Sequence, residues 1–452
     1  MQVMALEITK DLLENVKELI QQQKDTALSE VFSDIHYADI AEVLDELTFE
    51  EAVYIIRLLD SETTSDVLME VDEEVREKVF EQLSAKEIAE EVNELDTDDA
   101  ADVIAELPEE RKQAVIQKIE DREHAKEIVE LLRYDEDSAG GLMAKELVKV
   151  NENWNVLTCV KKMRLQAEEV TRVHSIYVVD DEGKLKGRLS LKDLLMASTR
   201  SKISDVYIPK VDFVHVHDDA EDVANIMRKY DLEAIPVVDE LGVLVGRITI
   251  DDIVDVIKEE AEKDYQLAAG ITQDVDSEDS ILQLTRARLP WLFLGLIGGI
   301  GAARIMGFFE GALEDNAVLF MFTPLIAAMA GNVGVQSSAI IVQGLANDDV
   351  KGSVTNRLLK EMSLAAVNGL VLAIILFFFI WVWKGDITIA SAISSSLFAV
   401  IIVAGLVGTF IPLFLDKRGI DPAIATGPFI TTSNDIFGIL IYFSIAKIII
   451  GF

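Results

Sequence analysis

The chain has 452 residues, and its 80 acidic residues outnumber its 41 basic residues, giving a formal net charge of −39. Residues 286–452 hold ten residues of each sign, so the whole excess of negative charge lies in residues 1–285. This charge excludes nucleic-acid binding through a basic surface and favours cations as partners, and the single Cys159 excludes an internal disulfide framework.

The first part of the chain is a short repeat. Its N-terminus is polar and lacks an apolar signal core, which predicts that residues 1–285 stay in the cytosol. From Ile35 to Leu131 an apolar residue recurs every 12 residues, often followed by a capping residue and acidic residues, as in Leu95-Asp-Thr-Asp-Asp. Such sets begin helices. We therefore predict an all-α superhelical domain over 1–137, with an irregular helical bundle as the alternative.

A second repeat covers residues 138–263. Residues 176–193 align with residues 235–252, and both copies predict a strand, a tight turn, a strand and a helix start. The pattern resembles the cystathionine-β-synthase (CBS) domain, which occurs in tandem pairs, and predicts α+β domains at 138–200 and 201–263. The resemblance implies a nucleotide site for ATP, although many such pairs bind none. Its ribose ligands would be Ser190, Asp193, Thr249 and Asp252.

An acidic segment joins this pair to the rest of the chain. Residues 251–264 form an amphipathic pattern with a strongly acidic face, and we assign residues 264–286 as a linking helix. A solvated linker is the simpler interpretation. Acidic surfaces that face one another repel at short range, and a hard divalent cation between them would remove that repulsion.

Five apolar stretches follow, at residues 289–309, 318–346, 364–383, 387–415 and 423–450. Each is about as long as the roughly 20 residues that a helix needs to cross a bilayer, or longer, so we predict a five-span membrane domain over 287–452. Lys and Arg are concentrated in the loops on the side of the N-terminus. This bias predicts a cytoplasmic N-terminus and, with five spans, an extracellular C-terminus in the plasma membrane.

Two spans contain polar sequence. Residues 330–336 of the second span bring glycines and amides into mid-membrane, which predicts a weakened helix with freed carbonyls. In the fifth span Thr431 and Asp435 share one helical face, and Asp435 is the one acidic residue that we place deep in a span. Such a carboxylate is typical of an ion path, or else is structural and bonded to Asn332 or a hydroxyl. The oxygen donors favour a hard cation, and Mg²⁺ often keeps its waters.

The order of these parts resembles the MgtE family of magnesium channels across nearly the whole chain. The most specific segments are Arg288-Leu-Pro-Trp-Leu, Pro324 to Gln336 and Asp421-Pro-Ala to Tyr442. The resemblance implies a homodimer with a pore between subunits. It also implies that Asp435 holds hydrated Mg²⁺, that the backbone at Thr431 and Ala328 completes the site, and that Asn332 lies close by.

The resemblance implies a cytosolic Mg²⁺ sensor as well. Lys263 stands where the family would supply an acidic ligand, so one sensor position is altered. In the N-terminal domain three aspartates are our candidates for facing the CBS pair. The implied sensor residues are Asp219, Glu221, Asp231, Asp252, Asp255, Glu260 and Asp264, together with Asp96, Asp98 and Asp99.

These observations predict a Mg²⁺ channel for uptake that closes when cytosolic Mg²⁺ bridges the acidic domains. A coupled secondary transporter of divalent cations and a membrane-tethered nucleotide or ion sensor remain alternatives. We do not expect an enzyme, because the sequence contains no nucleophile motif, no phosphate-binding loop and no set of metal-ligand histidines.

Overall fold

The structure is a computed structural model that describes residues 8–33, 35–167, 170, 172–273, 275, 279–310, 316–346, 353–425 and 427–451. The chain folds into two compact units, residues 1–257 and residues 258–452. Residues 1–7 of the predicted N-terminal domain, and residues 274 and 276–278 of the predicted linking helix, lie outside the described residues.

Short helices make up the beginning of the first unit. Several begin at the predicted caps: Thr48 and Ser84 form capping boxes with Glu51 and Glu87, and Asp60 accepts a 3.0 Å hydrogen bond from the Thr63 backbone N–H. The helices are α1 Lys10–Gln21, α2 Asp25–Phe32, α3 Tyr37–Asp45, α4 Phe49–Ile56, α5 Ser61–Glu70, α6 Glu73–Gln82, α7 Ala85–Val92, α8 Thr97–Glu106, α9 Glu109–Ile116 and α10 Arg122–Leu131.

These helices pack on alternate neighbours. Helix α3 packs on α5, α5 on α7 and α7 on α9, while α4 packs on α6 and α8 on α10. The first residues of α3, α5, α7 and α9 are 24 positions apart, which is twice the period of the sequence. A regular stack in which each helix contacts the helix two positions along the chain is a superhelix. The predicted solenoid is therefore confirmed, and the alternative of an irregular bundle is not.

Two matching α+β domains follow. In each, a parallel strand pair is extended by an antiparallel third strand, in the orders β1-β2-β3 and β4-β5-β6. The predicted tight turns contain Gly183 and Gly242, with φ of +82° and +79°. The elements are β1 Val148–Asn151, α11 Val156–Gln166, β2 Ile176–Val179, β3 Leu185–Leu189, α12 Leu191–Met196, β4 Val214–His215, α13 Ala220–Tyr230, β5 Ala234–Val238 and β6 Leu244–Thr249.

The linking helix differs from its predicted range of 264–286. Helix α14 runs from Ile250 to Ala269, and Gly270, with φ of +83°, follows it. A positive φ at the residue after a helix is a common helix end. The helix therefore begins directly after β6 and stops well before residue 286, and the described residues from 270 to 280 are not helical.

Five helices of the second unit are long and apolar enough to cross a membrane among the residues described, as predicted. They are α15 Ile281–Phe308, α16 Ala317–Ala346, α17 Val354–Lys384, α18 Ile387–Asp416 and α19 Gly427–Ile450. We call them the first to fifth spans. The fourth span packs on the second, third and fifth spans, and the fifth also packs on the first and second.

Candidate functional site

The fifth span carries the predicted pore residues Thr431 and Asp435. Both side chains are partly buried in the single chain. The Thr431 hydroxyl donates a 3.0 Å hydrogen bond to the Gly427 carbonyl, four residues earlier on the same helix. The span also meets the first span closely, because a Cβ added to Gly298 would overlap the methyl group of Thr432.

The second span faces the fifth through small residues. A Cβ on Gly331 would lie 3.3 Å from Thr431 Cγ2, and one on Gly438 would lie 3.1 Å from Ala330 Cβ. Asp435 lies between these two contacts along the fifth span. The expectation that residues 330–336 weaken the helix is wrong, because α16 is a continuous helix through them. Close packing on the fifth and fourth spans stabilises the glycines in helical conformation.

Ala328 and Asn332, one turn apart on the second span, are both exposed in the single chain. The described residues contain no group of three or more His, Cys, Asp or Glu side chains that could hold a metal ion. The described residues of one chain therefore do not form a cage of carboxylates around a dehydrated ion. A single carboxylate and neighbouring oxygen donors are instead suited to an ion that keeps its waters.

The first unit contains a second candidate site, an acidic cluster at the start of α8. Asp98 and Asp99 lie in its first turn, and Asp252 of α14 raises the pKa of both by its negative charge. Burial is the larger cause for each, and it raises the pKa of Asp99 to about 7. Burial and then Glu146 raise the pKa of Asp96. The three α8 aspartates and Asp252 therefore raise one another's pKa by their charge, although no three of these carboxylates among the described residues come close enough to hold a metal ion.

One basic and one acidic side chain lie beside this cluster. Arg247 of β6 is buried, and its guanidinium lies 3.6 Å from an Asp96 carboxylate oxygen. The carboxylate of Glu146 accepts hydrogen bonds of 3.2 Å from the Thr97 backbone N–H and 2.8 Å from its hydroxyl. The ion pair with Arg247 therefore offsets only part of the negative charge of Asp96, Asp98, Asp99 and Asp252.

The cluster should make the magnesium-free protein more stable at lower pH. Asp99 of the cluster and Asp102, a further aspartate of α8, have folded pKa values of about 7, raised mainly by burial, against about 4 in an unfolded chain. The folded state thus binds more protons between pH 4 and 7, and its stability rises as pH falls through 7. We expect the Tm of the full-length protein in EDTA to rise by about 4 °C from pH 8 to pH 6. A Tm that stays constant or falls over this interval would contradict the prediction.

The other predicted sensor residues are more dispersed. Asp219 caps α13 by accepting from the Glu221 backbone N–H at 3.0 Å, and Asp231 ends this helix in the left-handed conformation with φ of +52°. On α14, Asp255 is exposed, and the Glu260 carboxylate forms an ion pair with Lys263 Nζ at 2.8 Å. Burial, followed by the charge of Asp421, raises the pKa of Asp264.

The predicted nucleotide residues differ between the two copies. Ser190 caps α12 by accepting a 3.5 Å hydrogen bond from the Asp193 backbone N–H, and Asp193 is partly exposed. In the second copy the Thr249 hydroxyl donates a 2.7 Å hydrogen bond to Asp252, which also belongs to the acidic cluster. The two copies therefore differ in the hydrogen bond that the capping hydroxyl makes.

Three family models match the chain. The MgtE model, described as a divalent cation transporter, matches residues 323–445, and the MgtE intracellular N domain matches residues 35–137. The CBS domain matches residues 139–200 and 203–259. A magnesium transporter MgtE of Thermus thermophilus is 35% identical over 441 residues, which cover 96% of this chain and 98% of the relative. This chain belongs to the MgtE family.

Other MgtE proteins agree with this placement. The magnesium transporter MgtE of Enterococcus faecalis is 39% identical over 318 residues, covering 70% of each chain. A crystal structure of the cytosolic domain of the Mg²⁺ channel MgtE in complex with ATP is 36% identical, with a TM-score of 0.51. It covers 54% of this chain and 100% of the solved chain. The MgtE family is one of transporters, so the chain is not an enzyme.

Sequence reasoning missed several residues of these sites. Asp102 lies one turn after Asp98 on α8, a spacing that could have identified it. The third span begins at Val354, so Glu361 lies within a span helix, and it accepts a 2.6 Å hydrogen bond from Ser337 of the second span. Arg247 and Glu146 approach the cluster only through the tertiary fold, and no local signal predicts them.

Proposed function

We propose that this chain forms a Mg²⁺ channel for uptake across the plasma membrane. The observation that carries the proposal is Asp435, a single carboxylate of the fifth span placed between two close contacts with the second span. Its relatives are named magnesium transporters. A hydrated Mg²⁺ would bind the carboxylate and the oxygen donors at Thr431, Ala328 and Asn332 through its waters.

The pore would lie between two copies of the chain. Ala328 and Asn332 are exposed in the single chain, as a face that meets a partner requires. Lys and Arg on the inner loops support a cytoplasmic N-terminus and an extracellular C-terminus. Two copies would bring two Asp435 carboxylates to one ion and balance its double charge.

Cytosolic Mg²⁺ would close this pore through the acidic residues of the first unit and of α14. In the cluster of Asp96, Asp98, Asp99 and Asp252, mutual repulsion resists close packing until a cation neutralises it. The end of α14 reaches the fifth span, because a Cβ on Gly270 would lie 2.6 Å from Pro428 Cγ. Pro428 is seven residues before Asp435, so a shift of α14 acts directly on the span that carries the pore carboxylate.

An adenine nucleotide would bind the CBS pair as a regulator. The solved cytosolic domain that this chain resembles is a complex with ATP. Asp193 and Ser190 of the first copy would hold the ribose, since Asp252 of the second copy accepts from the Thr249 hydroxyl and belongs to the acidic cluster. Isothermal titration of full-length protein with ATP, compared with Asp193→Ala, tests this assignment.

Flux into proteoliposomes tests the channel. Purified protein is reconstituted with a Mg²⁺-sensitive dye inside, and external Mg²⁺ is added with no gradient of Na⁺ or protons. A channel gives Mg²⁺ entry that follows the membrane potential under these conditions. A coupled carrier gives entry only when a Na⁺ or proton gradient is imposed, and absence of flux under both conditions favours the tethered sensor.

Replacing Lys263 with glutamate should increase the sensitivity of closure to Mg²⁺. The change removes the ammonium group that pairs with Glu260 at 2.8 Å and adds a carboxylate beside Asp264. We expect the internal Mg²⁺ concentration that halves the flux to fall by about 5-fold, since about 1 kcal/mol is a realistic gain for a partly exposed site. Lys258→Glu is the matched control on the exposed surface of the same helix. Equal shifts in both variants would show a general charge effect.

A further inference from the structure

The side chain of Asn434 is an amide buried in the membrane domain without a protein partner. It is only 1% exposed, and neither Oδ1 nor Nδ2 forms a hydrogen bond to any described residue. Asn434 directly precedes Asp435 on the fifth span. A buried amide in this position is costly unless something else satisfies it, so its presence next to the pore carboxylate requires an explanation.

The amide lies where three spans cross. Its Nδ2 occupies the space that a Cβ on Gly334 of the second span would need, and Ile430 Cγ2 would lie 2.8 Å from that Cβ. On the other side, a Cβ on Gly408 of the fourth span would overlap the Gly334 carbonyl oxygen. Gly334 is therefore enclosed between the fourth and fifth spans, and Asn434 is held against it.

Two more buried polar groups without a hydrogen-bond partner are close in sequence to the residues of this crossing. The hydroxyl groups of Ser338 and Thr409 are buried and have no hydrogen-bond partner among the described residues. Ser338 is one helical turn after Gly334 on the second span, and Thr409 follows Gly408 on the fourth. Each of the three spans thus carries a buried polar side chain at, or within one helical turn of, its contact residue at this crossing.

The chemistry of these groups identifies the occupant that fits them. An amide presents an acceptor oxygen and a donor NH₂ group, and a hydroxyl both donates and accepts. A cation could bind the oxygens but could not accept from the NH₂ group. A water molecule can donate to Oδ1, accept from Nδ2 and reach a hydroxyl, and buried waters typically make two to four such bonds.

We propose that Asn434 is a positioning residue for Asp435, acting through buried water that joins its amide to hydroxyl groups of the second and fourth spans. The inference rests on the proposed passage of Mg²⁺ past Asp435. Water bonded at the crossing would fix the rotation of the fifth span about its axis, and with it the direction of the next side chain. A carboxylate that binds a hydrated ion through water distinguishes between ions by its exact position relative to their water shells. The expected effect of losing Asn434 is therefore on ion selectivity rather than on the amount of folded protein.

The test compares full-length variants in proteoliposomes by the ratio of Mg²⁺ to Ca²⁺ flux. Asn434→Leu keeps a similar shape but cannot bind water, and it should lower the ratio by about 5-fold while thermal stability stays near wild type. Asn434→Ser supplies a hydroxyl that can still bind the water, so its flux ratio should lie closer to that of wild type. A side chain that serves only for packing would give the reverse order.

Gly334→Ala reaches the same contact from the second span. Its methyl group would displace the Asn434 amide, so it should reduce the ratio, and the Gly334→Ala/Asn434→Leu double variant should not lose more than the worse single variant. Gly299→Ala is the control, because a Cβ there meets no described atom within 4 Å. If Asn434→Leu fails to fold, Gly334→Ala together with Asn434→Ser decides the result.

An unchanged flux ratio in folded Asn434→Leu and Gly334→Ala overturns the inference. Fully additive losses in the double variant overturn it as well. Asp435→Asn is measured alongside: if it abolishes flux while the Asn434 variants remain selective, only this inference fails. If Asp435→Asn conducts like wild type, the proposed pore role of Asp435 fails instead.

Discussion

Asp435→Asn is expected to reduce Mg²⁺ flux by at least about 100-fold, because it removes the one carboxylate of the fifth span and keeps its size. A divalent ion at hydrogen-bonded distance from this group, in surroundings with an effective dielectric constant of about 20, gains at least about 3 kcal/mol from the charge. Asparagine still accepts a hydrogen bond from a bound water but supplies only a dipole. The loss should therefore be in ion binding and passage, with the helix intact.

Proteoliposome flux at equal reconstituted protein is the measurement. Asp416→Asn makes the same chemical change at the exposed end of the fourth span and should retain most of the flux. Thermal unfolding in detergent checks that both variants are folded. Comparable flux in Asp435→Asn and wild type would show that the ion takes a path that does not depend on this carboxylate.

The Asp99→Asn/Asp252→Asn variant is expected to stabilise the magnesium-free protein and to remove most of its response to Mg²⁺. Both residues are partly buried, and burial and then the negative charge of Asp252 raise the pKa of Asp99. Neutral amides end this repulsion and supply no negative charge to attract a cation. We expect the Tm in EDTA to rise by about 4 °C and the increase on adding Mg²⁺ to fall by at least half.

Hydrogen exchange of α8, followed by mass spectrometry, gives the local measurement. In wild type, Mg²⁺ should increase protection of Thr97–Glu106, whereas in the double variant protection should already be high in EDTA. Glu77→Gln/Glu81→Gln removes two exposed charges from α6 and is the control for net charge alone. A full Mg²⁺ response in Asp99→Asn/Asp252→Asn would show that Mg²⁺ is sensed by residues outside this cluster.

Sequence reasoning succeeded where local chemistry repeats. Caps such as Thr48 and Ser84 predicted the starts of short helices, and the alignment of the two CBS copies predicted the turns at Gly183 and Gly242. Apolar length predicted the spans. Each of these signals lies within one element and needs no information about its neighbours.

The remaining features depend on tertiary contacts. Nothing in the sequence around Arg247 indicates an ion pair with Asp96, which is 151 residues earlier, and nothing around Glu361 indicates its bond to Ser337. Gly331 and Gly334 were expected to weaken the second span, but the fifth and fourth spans fill the space beside them. Glycines favour close packing in membranes, so the local penalty was outweighed by contact with neighbouring helices.

The 24-residue spacing of α3, α5, α7 and α9 has a consequence for how this protein can diverge. Because each helix rests mainly on the helix two positions away, loss or duplication of one helix pair near α3 would leave the stacking of later pairs intact. The N-terminal domain can therefore change its length during evolution in steps of one pair. The acidic face of α8 would keep its place beside the CBS domains. Natural selection can therefore change the length of the N-terminal domain without changing its acidic residues.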